Sequence, residues 1–153
     1  MYKIMSYNKK IASQICNLVS TLSNRFPNDR KLSLALTTLS ALKNHNSRKL
    51  TEFYITQIYL KKNVNNITFI QLVKDRNIDF FLEEDKLQHG REMAKSLNLG
   101  KNNEEAFIFI ENLKNNWSEL SPDEQSIIWT YFDVLNLLSE KYLKEQYFNE
   151  KSL

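Results

Sequence analysis

Apolar residues recur at helical spacing along most of the chain. The clearest case is the stretch 115–148, NNWSELSPDEQSIIWTYFDVLNLLSEKYLKEQYF. Its start is specified residue by residue. Ser121 stands at the N-cap, Pro122 at the first helical position, and Asp123 and Glu124 follow on the positive end of the macrodipole, a capping box with proline where its missing N–H does no harm. Beyond the cap, Ile127, Ile128, Tyr131, Phe132, Leu135, Leu138 and Tyr142 fall on one broad stripe, the pattern of a helix facing a core. Trp129 and Tyr147 fall on the other side, among Asp133, Asn136 and Glu140. They either pack under a neighbouring segment or anchor a partner, since Trp and Tyr are enriched at interfaces.

Earlier in the chain, Ile4, Ile11, Ile15, Leu18 and Leu22 share a helical face that should end before Pro27, which pushes its predecessor out of the helical region. Asn28 or Asp29 then caps a second helix carrying Leu32, Ala35, Leu36, Leu39 and Leu42. The stretch KNHNS at 43–47 breaks it, with Ser47 as the cap of a third. Residues 53–73 pattern as two helices through Leu50, Phe53, Tyr54 and Ile58, with a β-hairpin as the alternative because both halves are rich in β-branched and aromatic residues. Ile78, Phe80, Phe81 and Leu82 make an apolar knot followed by three acids. Leu87, Met93, Ala94, Leu97 and Leu99 continue as an irregular helical region interrupted at Gly90 and stopped at Gly100. Asn102 or Asn103 caps a further helix bearing Ala106, Phe107, Ile110, Leu113 and Trp117. The sum is an all-α fold, with residues 1–153 forming one compact bundle of six to seven helices and a long C-terminal helix.

Composition narrows this picture. Two glycines and two prolines in 153 residues argue against a turn-rich sandwich or barrel, and no apolar run approaches the ~18 residues of a membrane span. The first residues, MYKIMSYNKKIASQIC, lack the apolar core and cleavage site of a secretory signal. A single cysteine, Cys16, excludes an intramolecular disulfide and fits a reducing, intracellular setting. Charge is divided unevenly. Residues 1–76 hold thirteen Lys and Arg against three acids, and residues 77–153 hold eight against fifteen. Either the halves neutralise one another within the fold, or the basic half is a binding footprint.

Candidate chemistry is sparse. His45 and His89 are far apart, with no second His or Cys near either, so no metal-ligand spacing arises. Cys16 lies beside an apolar face and reads as a buried thiol, without a histidine placed to activate it. Glu83, Glu84 and Asp85 are adjacent acids that do not share a helical face and read as a solvated turn. The two glycines fit no phosphate-binding loop. No cofactor and no enzymatic activity are expected. Four basic pairs, Lys9–Lys10, Arg30–Lys31, Arg48–Lys49 and Lys61–Lys62, could contact phosphates without reading bases.

Trp117, Leu120, Ser121, Ile128-Trp129, Tyr131-Phe132, Leu135, Leu138-Ser139 and Lys141-Tyr142, with Asp79-Phe80-Phe81 upstream, resemble a group of uncharacterised helical proteins of large DNA viruses of algae and amoebae. The resemblance covers about 65 residues and rests on a capped aromatic helix. It implies a viral protein, with a virion component among the roles it would fit and the virion, host cytoplasm or host nucleus as its place. It supplies no catalytic residue. The expected function is therefore non-enzymatic, through contacts with viral or host proteins and with itself, using Trp129 and Tyr147. The alternative is a nucleic-acid binder using the basic N-terminal half.

Overall fold

A computed structural model describes residues 6–60, 62, 65–78 and 109–151. They form α1 (Tyr7–Arg25), α2 (Arg30–Tyr54), a π-helical turn (Ile55–Tyr59), α3 (Phe69–Lys74), α4 (Phe109–Asn116), a 3-10 turn (Trp117–Glu119) and α5 (Pro122–Lys151). Among the described residues there is no strand, and the expected six to seven helices reduce to four of eight residues or more plus the short α3. The knot at 80–82 and the irregular region 87–99 lie outside the described residues. No described helix is long and apolar enough to cross a membrane.

The connection from α1 to α2 is four residues, so the two helices fold back on each other as an antiparallel pair with the most extensive helix–helix contact in the structure. Asp29 sets the start of α2: its carboxylate accepts from the backbone N–H of Lys31 at 3.0 Å and of Leu32 at 3.3 Å. Its second oxygen accepts from the buried amide of Asn112 at 2.9 Å, which ties α4 to the same corner. Thr51 donates to the Asn8 carbonyl at 2.8 Å and joins the far end of α2 to the start of α1.

The break expected at 43–47 is a kink inside α2. Asn46 takes φ −158° and ψ 65°, and its side chain accepts from the Lys49 N–H at 3.3 Å. The cap of the second half is therefore Asn46, one residue before Ser47. Past Tyr54 the helix widens into the π turn, where the Leu60 N–H reaches the Ile55 carbonyl at 2.9 Å. One more residue per turn changes the helix phase, and Tyr54, Ile55, Ile58 and Tyr59 are all buried. Among the described residues the β-hairpin alternative survives only as a single bridge between Lys62 and Thr68. Thr68 caps α3 by accepting from the Gln71 N–H.

The core forms where α3 meets α2 and α5. Phe69, fully buried, stands edge-on to Tyr54 at 6.4 Å and to Phe132 at 5.8 Å between ring centroids. Phe69→Ala removes both contacts and leaves a cavity. It should cost roughly 3–5 kcal/mol, a large share of a typical domain's stability, and be read by urea denaturation. The Tyr54 hydroxyl is buried without a hydrogen-bond partner, and burial pushes its pKa well up, so it stays neutral. Tyr54→Phe should therefore cost nothing, or stabilise by up to ~1 kcal/mol; a clear loss of stability would mean the hydroxyl is satisfied.

Candidate functional site

Helix α5 carries the residues on which the sequence concentrates attention, and its approach is tightly built. Ser121 and Glu124 form the reciprocal cap: the Ser121 N–H donates to Glu124 at 3.0 Å, and the Glu124 N–H donates to the Ser121 hydroxyl at 3.1 Å. Arg25, at the end of α1, donates to Glu124 at 2.6 Å and to the Glu119 carbonyl at 3.2 Å. The Ser121 N–H first, then Arg25, hold the Glu124 carboxyl below its ordinary 4.5. Gln125 donates back to the Trp117 and Leu120 carbonyls and closes the turn.

The rotation of α5 differs from the expected stripe. Buried on it are Ile128, Trp129, Phe132, Leu135, Ser139 and Tyr142. Ile127 is 51% exposed, and Tyr131 and Leu138 are half-buried. The helix is turned toward Trp129 because neighbours cover that edge. Trp117 packs edge-on against Trp129 at 5.4 Å, and the Arg76 guanidinium lies over its ring at 5.7 Å. Arg76 also forks onto Asp133, with both bonds at 2.8 Å, and donates to the Val73 carbonyl at the end of α3. It does so from a left-handed backbone conformation, φ 53°, that disfavours any side chain. Trp129, at 5% exposure, is thus a core residue whose indole is not offered to a partner, whereas Tyr147 is 54% exposed.

The basic pairs do not converge on one surface. Lys9 and Lys10 stand in the first turn of α1, and Lys10 lies over the Tyr7 ring. Arg48 and Lys49 follow the kink of α2, near that same end of the hairpin. Lys62 sits beyond the π turn, and Lys61 lies outside the described residues. Arg30 and Lys31 open α2 at the opposite end, about 28 Å away along α1. Acids interleave with the nearer group. Arg48 pairs with Glu52 at 3.0 Å, and a polar cleft of about 330 Å³ joins Arg48 to Tyr7, Asn8, Tyr142 and Glu145. Two further ion pairs, Arg25–Glu124 and Arg76–Asp133, each join the basic half to the acidic half. The charge division is partly neutralised inside the fold.

Reactive groups offer little. Cys16 is buried, and burial pushes its thiol pKa up against the opposing pull of Lys43. His45 is exposed, and His89, Glu83, Glu84 and Asp85 lie outside the described residues. Among the described residues no group of three or more His, Cys, Asp or Glu side chains is placed to share a metal ion. What the structure brings together, and periodicity missed, is an apolar face. Two shallow clefts, about 280 and 270 Å³, run along the α1–α5 groove and share Ile127. The first is lined by Gln14, Ser126, Ile127, Thr130, Tyr131 and Val134.

The cap yields a pH prediction. Glu124 has a lowered folded pKa, so its contribution is complete above about pH 4.5 and is lost as pH falls through the folded value. Ser121→Ala should cost about 1 kcal/mol at neutral pH. Glu124→Gln, rather than Ser121→Ala, should flatten the acid limb of the melting temperature below pH 4.5, because the Ser121 N–H and Arg25, which hold the carboxyl pKa down, both remain in Ser121→Ala.

Comparison of the chain with protein-family models, with curated proteins and with solved structures gives no match.

Proposed function

We propose that this chain is a non-enzymatic helical protein that works through protein–protein contacts, including self-association. The observation that carries this reading is the apolar face of α5. Ile127 and Leu137 are each more than half exposed on the longest described helix, and Ile127 lines two apolar clefts. Exposed apolar residues gathered along one element mark contact surfaces more often than scattered ones do. The aromatic capped helix from Trp117 to Tyr142 carries the resemblance to helical proteins of large DNA viruses, and on that basis we place a viral role, with virion assembly as one form of it, inside this reading.

A second reading, phosphate contact by the end of the helical pair that holds Lys9, Lys10, Arg48 and Lys49, rests on their proximity. It is weakened by Glu52 and Glu145 among them, and by Arg30 and Lys31 at the far end. Fluorescence anisotropy of a labelled DNA duplex, at low and at physiological salt, separates the two. The contact reading predicts no saturable binding at physiological salt. Micromolar binding that falls steeply with salt would make the basic end the functional surface instead.

A further inference from the structure

One face of α5 is built as a helix-pairing seam. Asp123, Ile127, Thr130, Val134, Leu137 and Lys141 follow at spacings of four, three, four, three and four, the repeat that keeps successive residues on one line along a helix. All six are exposed or half-buried. The apolar part sits in the middle, an acid closes one end and a lysine the other, about 27 Å apart. Thr130 fits this line because its hydroxyl donates to the Ser126 carbonyl at 2.9 Å within its own helix, which leaves its methyl group outward. Ile127, Thr130, Tyr131 and Val134 stand at i, i+3, i+4 and i+7, the four corners of a hole that receives one side chain from a facing helix, and they line the 280 Å³ cleft.

We infer that this seam pairs with the same seam of a second copy of the chain, antiparallel and about a two-fold axis. The inference rests on the proposed contact function and names its partner. Charge complementarity selects the orientation. In an antiparallel pair centred near residue 132, Asp123 meets the partner's Lys141, and Lys141 meets the partner's Asp123. Ile127 then faces the partner's Leu137, and the partner's Val134 enters the hole between Thr130 and Tyr131. A parallel pair would set Asp123 against the partner's Asp123. Among the described residues neither Asp123 nor Lys141 has an ion-pair partner of its own, so both are available. On the α1 side the seam is flanked by Gln14, Thr21 and Asn24, and the charges that border it there, Arg25 and Glu124, are paired with each other.

The test is sedimentation velocity of the full chain from about 1 to 300 µM, the range in which a short two-helix seam dissociates. The wild type should shift from monomer to dimer with concentration. Asp123→Lys and Lys141→Asp should each weaken the dimer at least about fivefold, because each turns two attractive contacts into two repulsive ones. An equimolar mixture of these two variants should regain wild-type affinity, since both end contacts of the mixed pair become attractive again. Loss of helix stability in Asp123→Lys cannot produce that recovery, as each chain keeps its own defect. Ile127→Asp should leave a folded monomer with nearly the wild-type melting temperature. A wild type that stays monomeric throughout would overturn this inference and the self-association in the proposed function together. A wild-type dimer unmoved by both reversals, or not restored by mixing, would overturn the seam and leave the contact function standing.

Discussion

A long helix in a small bundle cannot bury every apolar residue it carries, and that constraint on α5 organises the molecule. Phe69 sits between Tyr54 and Phe132 and locks α2, α3 and α5 in one mutual rotation. On one edge of α5, Trp117 and Arg76 draw Trp129 inward. On the other, Thr21 and Tyr131 share a hydrogen bond of 2.9 Å, which joins α1 to α5 just before the surface opens. With both edges settled, Ile127, Val134 and Leu137 are not fully covered by any neighbour among the described residues. The exposed seam is therefore a consequence of how the core is satisfied.

Electrostatics follow the same division. Basic residues of the first half and acids of the second meet where helices pack, in the Arg25–Glu124 and Arg76–Asp133 pairs. Such half-exposed pairs contribute little to stability singly, but they fix which helix faces meet. Asp123 and Lys141 lie on the face turned away from these junctions, so their charges point to solvent or to another molecule.

The features written locally in the sequence were the legible ones. The Ser121 box, a cap at Asn28 or Asp29 and the stop before Pro27 each depend on residues within four positions, and the structure contains all three, with Asp29 as the cap. The sequence points to Ser47 and the structure uses Asn46 as the cap after the kink, because both side chains can cap and only the backbone decides between them. The π turn was not legible, since Ile55–Tyr59 keeps apolar residues at spacings that an α-helix and a π turn both allow. Periodicity located α5 but not its rotation. A stripe broad enough to hold both Ile127 and Phe132 has two edges, and which edge is covered depends on Trp117 and Arg76, twelve and fifty-three positions from Trp129. The seam is hidden for the same reason: the broad stripe places Ile127 with the core residues, which separates it from Val134 and Leu137.

The most direct measurement is an interchain distance. Cys16 is buried and its thiol is pushed toward the protonated form, so a spin label on Lys144→Cys would be taken up selectively at that exposed site beside the seam. With antiparallel pairing centred near residue 132, the two labels stand 24 residues apart along the helices, and pulsed dipolar spectroscopy should show one distance of about 35–40 Å. A distance near 15 Å, the signature of parallel pairing, or no dipolar modulation at several hundred micromolar, would contradict the account.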